Sequence, residues 1–157
     1  MYGMRKRLLP LLLLLALLLP GCGSKSAQTA DLQRVYDEAV GGADCPEMLL
    51  LNEQRVKNYY GIDPAACRQL IMAVSDDGLR VDEIWLIEAG DEKAAEALLE
   101  AARSRIEQVC VETKDYLPAQ YAVAKNAQAL RIGCSVALFI SPDAKEMAGI
   151  FTKAFQK

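Results

Sequence analysis

Two adjacent acids, Asp82 and Glu83, and four cysteines, Cys45, Cys67, Cys110 and Cys134, are the residues of this chain with chemistry to offer. Paired carboxylates are the minimum equipment for general acid–base work, and they also suit a cation or a basic peptide. At the start of an apolar stretch the same acids serve equally as solvated charges beside a turn, or as partners of Arg105 or Arg131. The cysteines include no Cys-x-x-Cys pair, so neither a redox-active dithiol nor a zinc knuckle is expected. Being even in number, they permit two disulfides with three connectivities in an exported chain. The alternative is four free, small, buried hydrophobes. Cys67 or Cys110 as a nucleophile would need a base, and the chain has no histidine. That absence removes Ser-His-Asp and Cys-His catalysis and the commonest zinc and copper ligand sets. Asp76, Asp77 and Asp82 lack the alternating oxygen-ligand spacing of a calcium loop and read as a turn. No catalytic set, metal site or cofactor is therefore expected. Tyr59, Tyr60 and Tyr116 either line a groove or cap a core edge with wet hydroxyls. The candidate binding residues are Asp82, Glu83, Arg105 and Tyr116.

These residues have to be placed in a compartment, and the first part of the chain addresses that. Arg5-Lys6-Arg7 precedes an apolar run from Leu8 to Leu19, broken only by Pro10, and Leu19-Pro20-Gly21-Cys22 closes it. The run fits a signal-peptide core and falls short of the roughly 20 residues that span a bilayer. Lys and Arg hold the flank on the cytoplasmic side. Leu19 and Gly21 stand where a lipobox wants an aliphatic and a small residue, so cleavage between Gly21 and Cys22 with lipidation of Cys22 is expected. One acyl chain anchors only marginally, at about 0.8 kcal/mol per buried CH2, so a diacylglyceryl group at Cys22 is the expected anchor. Residues 1–21 are the signal peptide, 22–28 a polar tether and 29–157 one domain. The localisation expected is the outer face of the cytoplasmic membrane. Removing Arg5, Lys6 and Arg7 moves the net charge from −3 to −6. An acidic domain is not equipped for nucleic acid, which wants a basic face.

The elements that would position the acids follow from periodicity. Thr29 caps a helix whose buried face is Leu32, Val35, Tyr36, Ala39 and Val40, and Gly41-Gly42 ends it. Pro46 to Leu51 is apolar and ambiguous. Asn52 caps a helix through Tyr60, Gly61 stops it, and Asp63-Pro64 starts a short turn of helix. Leu70–Val74 and Val81–Glu88 make a hairpin about Asp77-Gly78. A long helix runs from Gly90 to about Thr113, with Ala95, Leu99, Ala102, Ile106 and Val109 inward. Arg103 and Glu107 form an outward pair on it. A short helix, Ala119–Asn126, follows Pro118. Ala129–Ile132 and Cys134–Ile140 form a second hairpin around Gly133. Ser141-Pro142-Asp143 opens a closing helix that buries Met147, Ile150, Phe151 and Ala154. The fold class is α+β: a mostly antiparallel sheet of about four strands, in two hairpins, with helices on one face. The repeated order of strand, strand, helix suggests a diverged duplication.

Several short motifs in sequence carry a resemblance. They are the leader with Cys22, then Tyr60-Gly61-Ile62-Asp63, then Val81-Asp82-Glu83-Ile84, then Arg105 and Gln108 near the end of the long helix. Tyr116 with Pro118 and Asn126-Ala127 complete the set. Together they resemble a family of small lipoproteins from anaerobic Gram-positive bacteria, catalogued as domain of unknown function forty-three fifty-eight. The resemblance covers most of residues 30–156 and implies no activity, cofactor or catalytic residue.

Three functions compete. The first is a non-enzymatic accessory lipoprotein that presents a binding face to an envelope protein or a cell-wall component. The second is an envelope enzyme with Asp82 or Glu83 as general acid or base. The third is a structural module that docks a partner through an exposed sheet face or edge.

Overall fold

The computed structural model describes residues 29–42 and 44–156. The signal segment with Gly21 and Cys22, and the tether, lie outside the described residues. Asp31, rather than Thr29, caps the first helix, α1 (Leu32–Gly42). Its Oδ1 accepts from the backbone N–H groups of Gln33 at 3.1 Å and Arg34 at 3.2 Å. The ambiguous apolar segment forms a three-residue strand, β1 (Met48–Leu50). Asn52 then caps α2 (Glu53–Tyr60), its Oδ1 accepting from Arg55 N at 2.9 Å. Gly61 ends α2 at φ +68°. A 3-10 turn, Pro64–Ala66, leads into β2 (Cys67–Ser75). Asp77 Oδ1 accepts from Leu79 N at 2.9 Å, so the Asp76-Asp77 segment is the turn expected of it. Then come β3 (Glu83–Ala89) and α3 (Glu92–Thr113), the latter capped by Asp91. Last are α4 (Pro118–Lys125), β4 (Gln128–Ile132), β5 (Ser135–Ile140) and α5 (Ala144–Ala154).

The strands form one fully antiparallel sheet in the order β1-β2-β3-β5-β4. There are five strands rather than four, because three residues of β1 are too few to show a period-two pattern in the sequence. The fold is α+β, with β3 at the centre of the sheet.

Helices cover both faces, not one. Alternation along β3 sends Ile84 and Leu86 to one side, where they join Ala73, Ala137 and Phe139 under α1 and α5. Trp85 and Ile87 point to the other side and join Met72, Leu138 and Ile140 under α2, α3 and α4. This explains why β3 and β5 are buried throughout and apolar on both faces. The two-sided cover also argues against a simple duplication. Rotating β2-β3 onto β4-β5 about an axis normal to the sheet would keep their following helices on one face, whereas α3 and α5 lie on opposite faces. Arg103 pairs with Glu100, three residues back, instead of Glu107. No helix among the described residues is long and apolar enough to cross a membrane.

Gly61 sets the exit from α2 and hence the position of Tyr60. An added Cβ there would meet nothing within 4 Å, so the cost of Gly61→Ala is the left-handed backbone alone. We expect a loss of about 1–2 kcal/mol, read as a lower urea midpoint with an unchanged slope.

Candidate functional site

The central strand carries three buried acids at its ends: Asp82 and Glu83 at its start, each 2% exposed, and Glu88 near its end, 4% exposed. Being neighbours on an extended chain, Asp82 and Glu83 send their side chains toward opposite faces of the sheet, although both border a pocket of about 210 Å³ with Arg80 and Arg105. Asp82 is gripped by Arg80, with Nε–H donating to Oδ2 at 2.9 Å and Nη2–H to Oδ1 at 3.2 Å. Glu88 accepts from Gln69 Nε2 at 2.6 Å and lies 3.5 Å from Arg68 Nη1. Gln69 in turn donates to Ala30 O at 2.8 Å, and its Oε1 accepts from Leu32 N at 3.0 Å, which ties the start of α1 to the sheet.

Glu83 faces α3. Its Oε1 accepts from Trp85 Nε1 at 2.7 Å and from Arg105 Nε at 3.2 Å. Its Oε2 accepts from Arg105 Nε at 3.0 Å and Nη2 at 2.8 Å. Trp85 lies two residues along the same strand, which puts its indole on the same face as the carboxylate. Arg105 reaches in from α3 and is the partner expected of an acid at this strand start; Arg131 pairs with Glu96 at 3.2 Å instead. Among the described residues, no buried side-chain nitrogen or oxygen lacks a hydrogen-bond partner. A general base needs an open oxygen aimed at a substrate. Both oxygens of Glu83 and both of Asp82 are occupied by protein donors.

Tyr60 completes this cluster. Its ring meets Trp85 edge-on with centroids 5.4 Å apart, and Arg105 Cζ lies 5.8 Å from its centroid. Burial, followed by the charge of Glu83, pushes the Tyr60 hydroxyl up to about 12. In the unfolded chain it would ionise near 10. The folded state therefore holds this proton more tightly, and the stability it contributes is lost as pH rises from about 10 to about 12. We expect the urea midpoint of the native protein to fall more steeply over that window than that of Tyr60→Phe.

Outside the cluster, between α2 and α3, lies an open groove of about 490 Å³ lined by Leu51, Arg55, Tyr59, Tyr60, Arg105 and Gln108. Arg55 and Tyr59 are four residues apart and share one face of α2; Arg105 and Gln108 are three apart and share one face of α3. Arg105 is already committed to Glu83, with its Nη1 4.0 Å from Glu112. Gln108 Nε2 donates to Glu112 Oε1 at 2.8 Å. Arg55 is exposed and makes no side-chain hydrogen bond or ion pair with any described residue.

Of the sequence candidates, Glu83, Arg105 and Tyr60 meet in one place, with Tyr59 beside them. Asp82 stands on the opposite face. Tyr116, 85% exposed beyond the end of α3, is not among the residues lining the groove. Arg55 escaped the sequence reading; its only signal was an arginine one turn before an exposed tyrosine on a short polar helix. Cys45, Cys67, Cys110 and Cys134 are half-buried and stand unpaired in the structure. Cys45 packs against the core under α1 and α5, and Cys67 and Cys110 against the opposite core. Burial, then the charge of Asp82, pushes the Cys45 thiol up; burial, then Asp63, does the same to Cys67. Raised thiols are poor nucleophiles at neutral pH. Among the described residues, no cluster of three or more Cys, Asp or Glu is placed to hold a metal ion.

In comparison with known proteins, the family described as Domain of unknown function (DUF4358) matches the chain over residues 42–141. That segment contains β1 to β5 and the whole groove. No curated protein and no solved structure matches the chain.

Proposed function

This chain belongs to the family described as Domain of unknown function (DUF4358), and on that footing we propose that it is a non-enzymatic binding module of the cell envelope. In this reading a lipid on Cys22 holds it to the outer face of the cytoplasmic membrane, and the groove between α2 and α3 takes the ligand. One observation carries the reading: the buried acids are all engaged by protein donors, while the Arg55 guanidinium faces the groove without a partner among the described residues. Cations left open beside tyrosines are recognition chemistry.

The alternatives fare less well on the same geometry. An enzyme using Asp82 or Glu83 would have to break a two-point arginine grip in every cycle. Docking through an open sheet face draws no support from a sheet with helices packed on both faces. Edge pairing is left with β1, three residues long, and β4, five.

The test is to purify the native protein and its Arg55→Ala variant from membranes, under conditions that keep bound molecules. The intact mass checks the anchor: residues 22–157 plus a diacylglyceryl group is expected. Mass spectrometry of what denaturation releases then checks the groove. A molecule released from the native protein and absent from the variant supports the reading. Equal release from both, no release, or turnover of the molecule by the native protein refutes it.

A further inference from the structure

The charge and shape of the groove narrow the ligand class, granted that the groove is the binding site. We propose that it takes a single carboxylate carried on a short apolar or aromatic stem, such as the end of a small peptide or organic acid. Arg105 and Glu83 cancel one another at 2.8 Å, which leaves Arg55, among the described residues, as the one uncompensated charge in the lining. Glu112, about half exposed and 4.0 Å from Arg105, adds negative charge at the margin. A dianion such as a phosphate monoester would meet one free cation and a repelling acid, whereas a monoanion is matched. A planar carboxylate fits the fork of a guanidinium with two parallel hydrogen bonds.

The rest of the lining suits a stem. Leu51 is apolar, Tyr59 is 80% exposed at the groove, and the Tyr60 ring is fixed between Trp85 and Arg105. Gln108, whose Nε2 gives one N–H to Glu112, keeps the other for a neighbouring polar group, such as a peptide carbonyl. A volume of about 490 Å³ is in the range of small-molecule sites.

The experiment titrates the lipidated native protein, as purified from membranes, in lipid nanodiscs with N-acetyl-phenylalanine, its uncharged amide and phenyl phosphate, followed by calorimetry. The acid is expected to bind saturably and more tightly than either of the others. Arg55→Gln should weaken it about tenfold or more, the worth of a charged hydrogen bond. Lys57→Gln removes a charge from the same helix at a residue outside the groove lining and should leave binding unchanged. Arg55 is exposed, so an unchanged melting temperature for Arg55→Gln is the folding control. The inference is overturned if the acid shows no saturable binding, if the amide binds as well as the acid, if phenyl phosphate binds better, or if Arg55→Gln binds like the native protein. A released native ligand that depends on Arg55 but bears no carboxylate would also overturn it, and would leave the groove reading standing.

Discussion

Arg105→Leu should be among the most damaging single changes in the domain, costing about 3–5 kcal/mol, because it strands a charged Glu83 that is 2% exposed. Trp85 Nε1 would be the one donor left to the carboxylate. In a domain of this size that loss lowers the melting temperature by roughly 10 °C or more, measurable by calorimetry. The pair's own contribution is a separate quantity. Taking two charges out of water costs nearly as much as their attraction returns, so an apolar replacement of both is often neutral. We therefore expect Glu83→Leu/Arg105→Leu to recover at least about half of the stability lost in Arg105→Leu. If the double variant were as unstable as the single one, the shape of the cluster rather than the stranded charge would be the cause. The single variant would also blunt the groove, which loses one wall and the cation that fixes Tyr60.

Trp85→Ala is expected to cost a similar amount, about 3–5 kcal/mol, through a different mechanism. Trp85 sits opposite Met72 on β2 and Leu138 on β5, so its truncation opens a cavity in the middle of the sheet on the α3 side. It also removes the Nε1–H that Glu83 Oε1 accepts at 2.7 Å and the ring against which Tyr60 packs. Trp85→Phe separates these effects. It keeps most of the buried ring and loses the donor, for an expected cost of about 1.5–3 kcal/mol. Chemical denaturation of the three proteins would show the ordering: native, then Phe, then Ala. Equal stability of native and Trp85→Phe would mean that the hydrogen bond to Glu83 contributes nothing beyond satisfying the indole.

Much of the fold was legible in the sequence because it is written in local chemistry. Asn52, Gly61, the Asp77-Gly78 turn and Gly133 act within one to four residues of their own positions, and each ends or begins the element expected of it. The split of Val136, Leu138 and Ile140 from Ala137 and Phe139 also needed only period-two alternation. The misreadings share another cause. β1 is a strand because β2 offers it an edge, with Leu49 opposite Val74, and three apolar residues announce nothing by themselves. The second covered face depends on α1 and α5 returning to the sheet from opposite ends of the chain, a distance over which residue patterns carry no information.

The candidate site divides in the same way. The sequence by itself determined the types: an acid at the start of a central strand, an arginine on the long helix, and tyrosines at the end of a short one. It also removed histidine chemistry outright. Period-two alternation already parts Asp82 from Glu83; only the tertiary structure decided that Glu83 is filled by Arg105 and Trp85. It likewise decided that Arg55, from a helix with no apparent chemistry, faces the groove uncompensated. The physical reason is that a buried charge takes its meaning from partners far away in the chain: Arg105 is twenty-two residues from Glu83. Its pairing depends on how α3 packs on the sheet, and that packing is set by many weak apolar contacts acting together.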